Sequence, residues 1–380
     1  MNFLNNQEKE FYQRHLMLEG FGVEAQQKLK AASVLVVGAG GLGCPALQYL
    51  ASAGVGRIGV IDDDVIEISN LQRQFLYFSA DVGKSKSECA AKRLSKHNPN
   101  IQAEPHTKRL SQHNITEIFK MYDVIIDGSD NFETRYLVND ACVILGKPLV
   151  FGAIFKFSGQ LSVFNFENGP TYRCLFPNPP GPDALPPCGE VGVLGVLPGI
   201  IGAMQALESI KIITGVGEVM SGRVLLFDSI GQRFNELKLS LVPENQKIKK
   251  LETIKISKMC HSPMQNKGIE IKELNPHEFV EFYKNNSAIN VIDVRESWER
   301  ELEHIQPSKH IPLGEFYEPN ITELLPECRS EEIVVYCKAG VRSMDACRVL
   351  NELGFERIYN LEGGMMRWRA ENMPLTIQES

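Results

Sequence analysis

The feature that most constrains this chain is an uncharged stretch of 24 residues, Ser33–Gly56. Its length would span a bilayer, but six glycines and a proline divide it. Ser33–Val37 is a short apolar run typical of a buried parallel strand, and it ends at the glycine-rich segment Gly38–Gly43. The small residues of Cys44–Ser52 then favour a helix. The stretch therefore predicts strand, tight turn and helix rather than a membrane span.

The same alternation of strand and helix continues along the chain and predicts an α/β fold with a parallel sheet. We expect helices at 8–30 and Gly199–Ile213, an antiparallel strand at Gln160–Phe166 and a mobile loop at Pro177–Pro187. The other predicted strands are Arg57–Asp62, Asp123–Asp127, Leu149–Ala153, Ile289–Val294 and Ile333–Cys337, with a further helix at Ala346–Leu353. A polar, lysine-rich segment predicts a linker at 243–267, between domains at 1–242 and 268–380.

Charge and cysteine content narrow the class of protein. The chain has 40 Lys and Arg against 47 Asp and Glu, a net charge of −7, which excludes a generally basic nucleic-acid binder. Its N-terminus lacks the basic-then-apolar order of a signal peptide. Nine cysteines are an odd number and fit a closed disulfide framework poorly. We expect a cytoplasmic protein with reduced thiols that binds neither nucleic acid nor a membrane.

The glycine-rich turn predicts a phosphate site. Gly38, Gly40, Gly41 and Gly43 allow close approach of a phosphate to the backbone, and the following helix offers free amides. Asp62 lies near the position of a ribose-binding acid, so an NAD site fits equally well at this point. The residues that follow favour a triphosphate with Mg²⁺, because basic groups neutralise phosphate charge and a carboxylate holds the cation. They are Asp62–Asp64, Ser69–Gln74, Lys86 and Asp127–Asn131.

As an ordered set, these motifs resemble the MoeB/ThiF family of ATP-dependent enzymes that activate ubiquitin-like sulfur carriers. The resemblance rests on Arg14-His15, Gly38–Gly43, Asp62–Asp64, Ser69–Arg73, Lys86, Asp130-Asn131 and Gly192–Ile201. It implies a Rossmann-like ATP-binding domain that adenylates the C-terminal glycine of a carrier and releases pyrophosphate.

The resemblance also implies roles for single residues. ATP contacts would come from the glycine turn and from Asp62, Asp64, Ser69, Asn70, Leu71, Gln72, Arg73, Lys86, Asp130 and Asn131. Asp130 would position Mg²⁺, and Arg14 would reach the phosphates of the other subunit in a homodimer. Taken singly, each of these residues could equally be a solvated charge, a helix cap or a turn residue.

Two cysteines of this half raise separate questions. Cys188, in a proline-rich loop, could carry an acyl or persulfide group, or it could simply pack beneath the loop. Relatives often hold a structural zinc through two C-x-x-C pairs, but here the first pair is reduced to Thr171–Cys174 and no C-x-x-C follows Phe227. Cys174 with the distant Cys260 and His261 does not make a four-ligand site, so we expect no structural zinc.

The C-terminal half has its own candidate nucleophile, Cys337, in the loop Cys337–Ser343 between a strand and a helix. Inward-pointing amides at a helix N-terminus would stabilise a thiolate, and Arg342 could bind an anionic donor. With Asp293–Glu296, His304-Ile305 and Leu361–Met365, this loop resembles the rhodanese domain. That resemblance implies a Cys337 persulfide. We expect Asp293 and Arg295 to form a structural ion pair, and Trp298, Trp368 and Cys347 to be core residues.

Together the two halves predict one reaction. The first domain would adenylate a carrier ending in Gly-Gly, and the Cys337 persulfide would attack the adenylate; reductive cleavage, through Cys188 or otherwise, would leave a thiocarboxylate. Thiosulfate or a cysteine-desulfurase persulfide would supply the sulfur. Molybdopterin, thiamine, thiolated tRNA, cysteine or a secondary metabolite could be the destination. Two alternatives stay open, an NAD-dependent oxidoreductase with a regulatory rhodanese domain and a non-catalytic scaffold that presents the carrier.

Overall fold

The computed structural model describes residues 3–179, 192–251, 271–286, 289–318, 320–326 and 328–376. It divides the chain into two compact units, Met1–Cys260 and His261–Ser380, which are considered separately below.

The first unit is built on a sheet with eight strands among the described residues, in the order β3-β2-β1-β4-β5-β6-β7-β8. The first five strands in this order run parallel, and β6, β7 and β8 are antiparallel to their neighbours. The strands are β1 (Ser33–Val37), β2 (Arg57–Ile61), β3 (Gln102–His106), β4 (Val124–Asp127), β5 (Leu149–Phe155), β6 (Ser158–Phe164), β7 (Arg223–Asp228) and β8 (Arg233–Lys238).

Helices follow the parallel strands as crossover connections and cover both faces of the sheet. They are α1 (Asn6–Phe11), α2 (Gln13–Leu16), α3 (Gly22–Ala31), α4 (Gly43–Ala53), α5 (Lys86–His97), α6 (Ile115–Lys120), α7 (Phe132–Leu145), α8 (Tyr172–Leu175) and α9 (Val196–Thr214). Val34 and Val36 pack into one apolar cluster, whereas Leu35 and Val37 pack into another. Both faces of β1 are therefore buried, as a continuous apolar strand requires.

Strand order decides where a ligand can bind in such a sheet. Strand β1 lies between β2 and β4, and the chain leaves their carboxyl ends in opposite directions along the sheet. Doubly wound sheets bind ligands at this switch point, because the loops diverge there and leave a crevice. The residues that follow β1, β2 and β4 are Gly38, Asp62 and Gly128.

One expectation for this unit needs correction, and one hairpin was missed. The helix expected over 8–30 is three helices, since Gly20 and Gly22 have φ of +78° and +59° and end the regular helix between Leu16 and Gly22. The hairpin of β7 and β8 was not predicted, because every residue of β8 is exposed and the strand lacks a buried face. The antiparallel strand near 160–166 is confirmed as β6, and most of Pro177–Pro187 lies outside the described residues.

One helix of this unit, α9, is long and apolar enough by length and composition to cross a membrane. Nine of its residues are nevertheless buried in the unit, and Ala206 belongs to the apolar cluster that also contains Leu47. The stretch Ser33–Gly56 forms β1, the glycine turn, α4 and the short link to β2. This confirms the prediction of strand, turn and helix.

The second unit is a smaller parallel sheet in the order β11-β10-β12-β13-β9, with helices on both faces. Its strands are β9 (Lys272–Leu274), β10 (Asn290–Asp293), β11 (Lys309–His310), β12 (Glu332–Tyr336) and β13 (Arg357–Leu361). Its helices are α10 (Pro276–Asn285), α11 (Ser297–Leu302), α12 (Ile321–Leu324), α13 (Val341–Glu352) and α14 (Gly364–Ala370). Alternate residues of the central strand β12 pack into separate clusters, so this sheet is also buried on both faces.

Candidate functional site

The glycine turn between β1 and α4 is tightly closed on itself. A methyl group added at Gly43 would lie 1.9 Å from the Gly38 carbonyl oxygen, and Gly38 itself has φ of +89°. A methyl group at Gly41 would lie 3.1 Å from Pro198. The turn needs glycine at these places because a side chain would collide with the neighbouring backbone. Without side chains, the backbone amides are free to contact a phosphate.

Asp62 is attached to this turn. Its Oδ2 accepts a hydrogen bond of 2.7 Å from the amide of Ala39, and its Oδ1 accepts one of 2.9 Å from the amide of Asp64. Burial raises the pKa of the Asp62 carboxyl, although Lys86 and the two amides partly oppose that effect. Asp62, the acid that follows β2, thus lies at the glycine turn, where the sequence predicted it.

Lys86 joins the same edge of the sheet from the first turn of α5. Its ammonium Nζ lies 2.7 Å from Asp64 Oδ2, with the Lys86 side chain 7% exposed and that of Asp64 68% exposed. The Tyr77 hydroxyl links the two elements, because it lies 2.8 Å from the Ala39 carbonyl and 3.3 Å from the Lys86 carbonyl. The structure therefore brings the turn, Asp62, Asp64 and Lys86 together.

The segment Ser69–Arg73 forms a short helical turn beside the glycines. Arg73 Nη1 donates to the Ser69 carbonyl at 3.1 Å, and Arg73 Cδ lies 3.6 Å from the methyl position of Gly41. Asn70 is buried and accepts from the Glu67 amide, Leu71 packs against the core, and Gln72 is exposed. Arg73 is therefore the member of this segment that the structure sets against the turn.

The loop after β4 lies next to Gly38, since a methyl group there would be 2.9 Å from the Gly128 carbonyl oxygen. Asp130 is exposed on this loop. Asn131 caps α7, because its Oδ1 accepts a hydrogen bond of 2.9 Å from the Thr134 amide, and its contact with a nucleotide stays a prediction.

Asp127, the last residue of β4 and the first of the predicted group Asp127–Asn131, is buried beneath that loop. Its Oδ1 accepts from the Ser129 amide and hydroxyl at 2.9 and 2.6 Å, whereas its Oδ2 has no hydrogen-bond partner. Burial raises the pKa of this carboxyl, and the nearby Arg135 lowers it in part.

A magnesium ion would have to rely on few protein ligands here. Within the described part of the chain, no group of three or more His, Cys, Asp or Glu side chains could hold a metal ion. Mg²⁺ bound with a nucleotide takes one or two carboxylates together with phosphate oxygens and water. A single exposed carboxylate such as Asp130, on the loop that contacts the glycine turn, fits that donor set.

One predicted residue, Arg14, is not part of this cluster in the single chain. Arg14 is exposed on α2, and its contact across a homodimer stays a prediction. Cys188 lies outside the described residues, as do Cys260 and His261.

The sulfur of Cys174 is surrounded by residues of two segments of the chain, 171–174 and 242–245. Its sulfur accepts from the Thr171 amide at 3.4 Å and from the Val242 amide at 3.4 Å. The Thr171 hydroxyl and Asn245 Nδ2 lie 3.5 and 3.6 Å away. Burial alone raises the pKa of this thiol, but these hydrogen bonds outweigh burial and lower it. Residues 171, 174, 242 and 245 have the spacing of the zinc pairs, with hydrogen bonds around one sulfur in place of four thiolates. The absence of zinc stays a prediction.

The second site is the loop between β12 and α13. Cys337 is buried, and its sulfur accepts 3.1 Å from the Gly340 amide and lies 3.4 Å from the Ser343 hydroxyl. Gly340 has φ of +91°, which lets the loop curl back so that its amide faces the sulfur. This places Cys337 at the N-terminus of α13, where amides favour an anionic sulfur.

Ser343 and Asn360 form a layer beneath this loop that sequence reasoning missed. The Ser343 hydroxyl donates to Asn360 Oδ1 at 2.6 Å, and Asn360 Nδ2 donates to the Gly340 carbonyl at 3.1 Å. Asn360 is buried and fixes both the curl of the loop and the Ser343 hydroxyl. Its position on a strand before Leu361 gave no signal, because the contact joins residues far apart in sequence.

Two arginines near this loop, Arg295 and Arg342, are held by carboxylates. Arg295 and Asp293 form the expected buried ion pair, with 2.9 and 2.7 Å hydrogen bonds. Arg342 makes a bidentate pair with Glu299, with Nη1 to Oε2 at 2.7 Å and Nη2 to Oε1 at 2.9 Å. Burial raises the pKa of the Glu299 carboxyl, but the hydrogen bonds from Arg342 and the Glu296 amide, together with the charges of Arg342 and Arg295, outweigh burial and lower it.

The two tryptophans differ. Trp368 is fully buried, as expected of a core aromatic, and Cys347 is also buried. Trp298 is 63% exposed, so its assignment to the core was wrong. It follows the first residue of α11 and faces a cavity of about 160 Å³ that Glu299 and Lys338 also line.

Comparisons with known proteins agree with this two-unit architecture. A model described as "ThiF family" matches residues 12–248, and one described as "Rhodanese-like domain" matches residues 275–371. The chain is 40% identical to the "Probable adenylyltransferase/sulfurtransferase MoeZ" of Mycobacterium tuberculosis, over 98% of this chain and 95% of that protein.

Two further comparisons concern the first unit. The "Sulfur carrier protein adenylyltransferase" of Thermus thermophilus is 52% identical over 61% of this chain and 87% of its own. The crystal structure of Escherichia coli MccB with ATP superposes with a TM-score of 0.54 at 23% identity, covering 64% of this chain and 74% of the MccB chain. That superposition shows a shared fold.

Proposed function

The chain belongs to the ThiF family and carries a rhodanese-like domain at its C-terminal end, and we propose that it is an adenylyltransferase and sulfurtransferase for a sulfur-carrier protein. The observation that carries this proposal is the presence of both halves of the reaction in one chain. A phosphate turn with an acid and a lysine stands in the first unit, and a cysteine within a curled amide loop stands in the second.

The first unit would bind ATP through the glycine turn, with Lys86 and Arg73 neutralising phosphate charge and Asp62 on the ribose side. Asp130 would hold Mg²⁺, which when bound neutralises charge on the phosphates of ATP. The carboxylate of the carrier's C-terminal glycine attacks the α-phosphorus, forming an acyl-adenylate and releasing pyrophosphate. Arg14 of a second copy would assist at the phosphates in a homodimer.

The second unit would carry sulfur on Cys337. The persulfide's terminal sulfur attacks the acyl carbon of the adenylate and displaces AMP, which leaves the carrier joined to Cys337 through an acyl disulfide. A thiol then attacks the Cys337 sulfur of that disulfide and releases the carrier thiocarboxylate. Cys188 is the proposed thiol within the chain, and an external reductant would serve otherwise.

The partner would be a small ubiquitin-like carrier ending in Gly-Gly, because a flexible tail without side chains can enter a narrow adenylation site. Thiosulfate or the persulfide of a cysteine desulfurase would be the sulfur donor, and the protein would act in the cytoplasm.

The test is an intact-mass assay on small carriers ending in Gly-Gly from the same organism. Each is mixed with the full chain, Mg²⁺-ATP, a sulfur donor and a reductant, beside Cys337→Ala and Asp130→Ala. We expect replacement of one oxygen by sulfur in the carrier. Pyrophosphate release should persist in Cys337→Ala but fall in Asp130→Ala.

The same assay separates the two alternatives. If no carrier elicits pyrophosphate release or gains sulfur, while the chain binds NADH tightly and not ATP, the oxidoreductase is favoured. If the carrier binds without chemistry and Cys337→Ala behaves as the unaltered chain does, the scaffold is favoured.

A further inference from the structure

The hydroxyl of Ser343 lies between two groups that could accept its single proton. Its Oγ is 2.6 Å from Asn360 Oδ1 and 3.4 Å from the Cys337 sulfur. All three residues are at most 1% exposed, so bulk water does not compete for the proton. Because a serine hydroxyl has one proton to donate, only one of the two neighbours receives it at a time.

The orientation of the Asn360 amide decides which neighbour receives the proton. Asn360 Nδ2 donates to Glu273 Oε1 at 3.0 Å and to the Gly340 carbonyl at 3.1 Å, and a carboxylate and a carbonyl only accept. Rotating the amide by half a turn would set Oδ1 against these two acceptors. Oδ1 therefore faces Ser343, and 2.6 Å is the separation of a short hydrogen bond from a hydroxyl to an oxygen.

The sulfur of Cys337 is consequently next to a lone pair of the Ser343 oxygen. A neutral thiol can donate its S–H to that lone pair, whereas a thiolate accepts from the Gly340 amide at 3.1 Å and not from Ser343. If the hydroxyl turned to the thiolate, Asn360 Oδ1 would be left buried without a donor, which is unfavourable. The arrangement thus stabilises the thiolate less than a hydroxyl donor at the same place would.

Sulfur loading removes the charge from the atom that this hydroxyl faces. The Cys337 thiolate attacks the outer sulfur of a donor and forms a new S–S bond, while the S–S bond of the donor breaks and sulfite or a thiolate leaves with the electron pair. The Cys337 sulfur becomes neutral and divalent, and the sulfur that it gains carries the negative charge. A hydrogen bond to the Cys337 sulfur would therefore stabilise the thiolate more than the persulfide and oppose loading.

We propose that Asn360 is a positioning residue for sulfur transfer: it accepts the proton of the Ser343 hydroxyl, withholds that proton from Cys337, and so keeps the thiolate reactive toward a sulfur donor. This role rests on the sulfurtransferase function proposed above and adds a residue to it. Asn360 acts on the sulfur through Ser343, to which it is hydrogen bonded.

Several charged or titratable groups lie on the elements around this loop, and the substitutions below leave all of them in place. They are Lys338 in the loop, Glu273 on β9, Cys347 on α13 and the pairs Arg342–Glu299, Arg295–Asp293, Arg348–Asp345 and Arg367–Glu362. Burial raises the pKa of the Cys347 thiol, which keeps it neutral. Each substitution exchanges one uncharged side chain for another, so a shifted pH profile reports hydrogen bonding at Cys337.

The first experiment follows alkylation of Cys337 by iodoacetamide against pH in the full, reduced chain, with mass spectrometry of the Cys337 peptide. In Ser343→Ala we expect the midpoint to fall, or to stay within about 0.3 pH unit, because the thiol loses an acceptor and the thiolate loses no donor. If Ser343 donated to the thiolate, its removal would raise the midpoint by about one unit, the scale of a lost hydrogen bond to a charged group. A rise of more than about 0.3 unit would overturn the proposal.

The second experiment removes the acceptor. Asn360→Leu has a similar shape and no side-chain oxygen, so the Ser343 hydroxyl can turn to the thiolate and the midpoint should fall by about one unit. Loading by thiosulfate at a pH above the midpoint should slow about threefold, because nucleophilicity declines with basicity. Adding Ser343→Ala to Asn360→Leu should raise the midpoint again. A merely structural role of Asn360 would not reverse the sign of the Ser343→Ala effect, and the same sign in both backgrounds would contradict the proposal.

A control and an independent measurement protect these tests. Ser297→Ala, at an exposed serine of α11, should leave the midpoint within about 0.3 unit. If Asn360→Leu does not fold, infrared spectra below the midpoint still locate the proton, since the difference between the unaltered chain and Cys337→Ala isolates the S–H stretching band of Cys337. We expect this band at the lower frequency of a hydrogen-bonded S–H and expect Ser343→Ala to raise it. A band at the frequency of a thiol that donates no hydrogen bond, unmoved by Ser343→Ala, would refute the arrangement.

The failure of this inference can be told apart from the failure of the proposed function. The alkylation and infrared measurements need no sulfur donor, whereas loading is measured with thiosulfate and with a cysteine-desulfurase persulfide. If neither donor loads Cys337 in the unaltered chain, the sulfurtransferase function is wrong, and so is the role of Asn360 in it. If loading proceeds but the sign of the Ser343→Ala effect does not depend on Asn360, the function stands and the inference is wrong.

Discussion

Both units bury an aspartate at the carboxyl end of a parallel strand, Asp127 on β4 and Asp293 on β10, and each is at most 1% exposed. Asp293 is bound by two nitrogens of Arg295 and approached by Arg300, whereas Asp127 accepts from Ser129 and keeps one oxygen without a hydrogen bond. Burial raises the pKa of both carboxyls, but at Asp293 the contacts with Arg295 outweigh burial and the pKa is lowered.

This difference extends to the other charged groups at the carboxyl ends of the strands in the two units. In the second unit, the buried carboxylates of Asp293 and Glu299 are paired with Arg295 and Arg342. The first unit has the carboxylates of Asp62, Asp64 and Asp130 near a turn of amides, where ATP and Mg²⁺ are proposed to bind. The buried carboxylates of the second unit are thus bound by arginines, whereas the buried Asp127 of the first unit accepts hydrogen bonds from Ser129.

The largest expected effect concerns the buried ion pair of Asp293 and Arg295 in the second unit. Asp293→Asn leaves Arg295 buried without a counter-charge, which should lower the free energy of unfolding of the second unit by about 3 kcal/mol. Hydrogen exchange of the full chain, followed by mass spectrometry, reports the two units separately. Asp345→Asn removes an exposed i,i+3 partner of Arg348 and should cost under about 0.5 kcal/mol. Equal effects of the two variants would contradict the difference expected between a buried and an exposed ion pair.

A steric change tests the turn of the first unit. Gly43→Ala would place a methyl group 1.9 Å from the Gly38 carbonyl oxygen, so we expect a loss of about 1–3 kcal/mol in unfolding free energy together with loss of ATP-dependent pyrophosphate release. Loading of Cys337 should persist. Gly199→Ala, in α9 where no atom lies within 4 Å of the new methyl, should be neutral or slightly stabilising.

The next prediction concerns Asp127 and has the opposite sign from Asp293. Because the folded state disfavours the ionised Asp127 carboxyl, Asp127→Asn should keep or raise the unfolding free energy of the first unit, by up to about 1 kcal/mol at neutral pH. Asp63→Asn, at an exposed carboxylate, should leave it unchanged. A loss of 2 kcal/mol or more in Asp127→Asn, on the scale of a broken buried pair, would place Asp127 with Asp293 and break the comparison.

Acidification should separate the units without any substitution. The pKa values of Asp293 and Glu299 are lowered on folding, so their stabilisation is present above the unfolded values near pH 4 and is lost as pH falls through the folded values. The pKa values of Asp62 and Asp127 are raised, so their contribution favours folding at low pH and is lost as pH rises through the folded values. Hydrogen exchange at pH 6 and pH 4 should show the second unit losing more protection, after correction for the intrinsic rates.

The smallest effect is expected at Cys174. Cys174→Ala removes hydrogen bonds to one sulfur and should lower the unfolding free energy of the first unit by about 1 kcal/mol, with no further change on adding a chelator. Cys328→Ala, at an exposed thiol, serves as the control. A destabilisation by chelator that depends on Cys174 would reveal a metal and overturn the prediction of no zinc.

Much of both sites was predictable because each is organised by a local pattern. In the first unit, β1, the glycine turn and α4 follow one another between Ser33 and Ala53. In the second unit, the segment Cys337–Ser343 contains the end of a strand, a glycine in the αL conformation and the start of a helix. Local conformation is fixed by residues close in sequence, so motifs reveal it. The exposed β8 and the breaks between Leu16 and Gly22 carried no comparable signal.

The sequence by itself determined the α/β class, the glycine turn with its acid and lysine, the loop of Cys337 and the ion pair of Asp293 with Arg295, which are two residues apart. Only the tertiary structure decided that Glu299 holds Arg342, that Asn360 supports Ser343, and that Val242 and Asn245 surround Cys174. These contacts join residues between 17 and 71 positions apart. Their distances depend on strand order and packing, which no local pattern encodes.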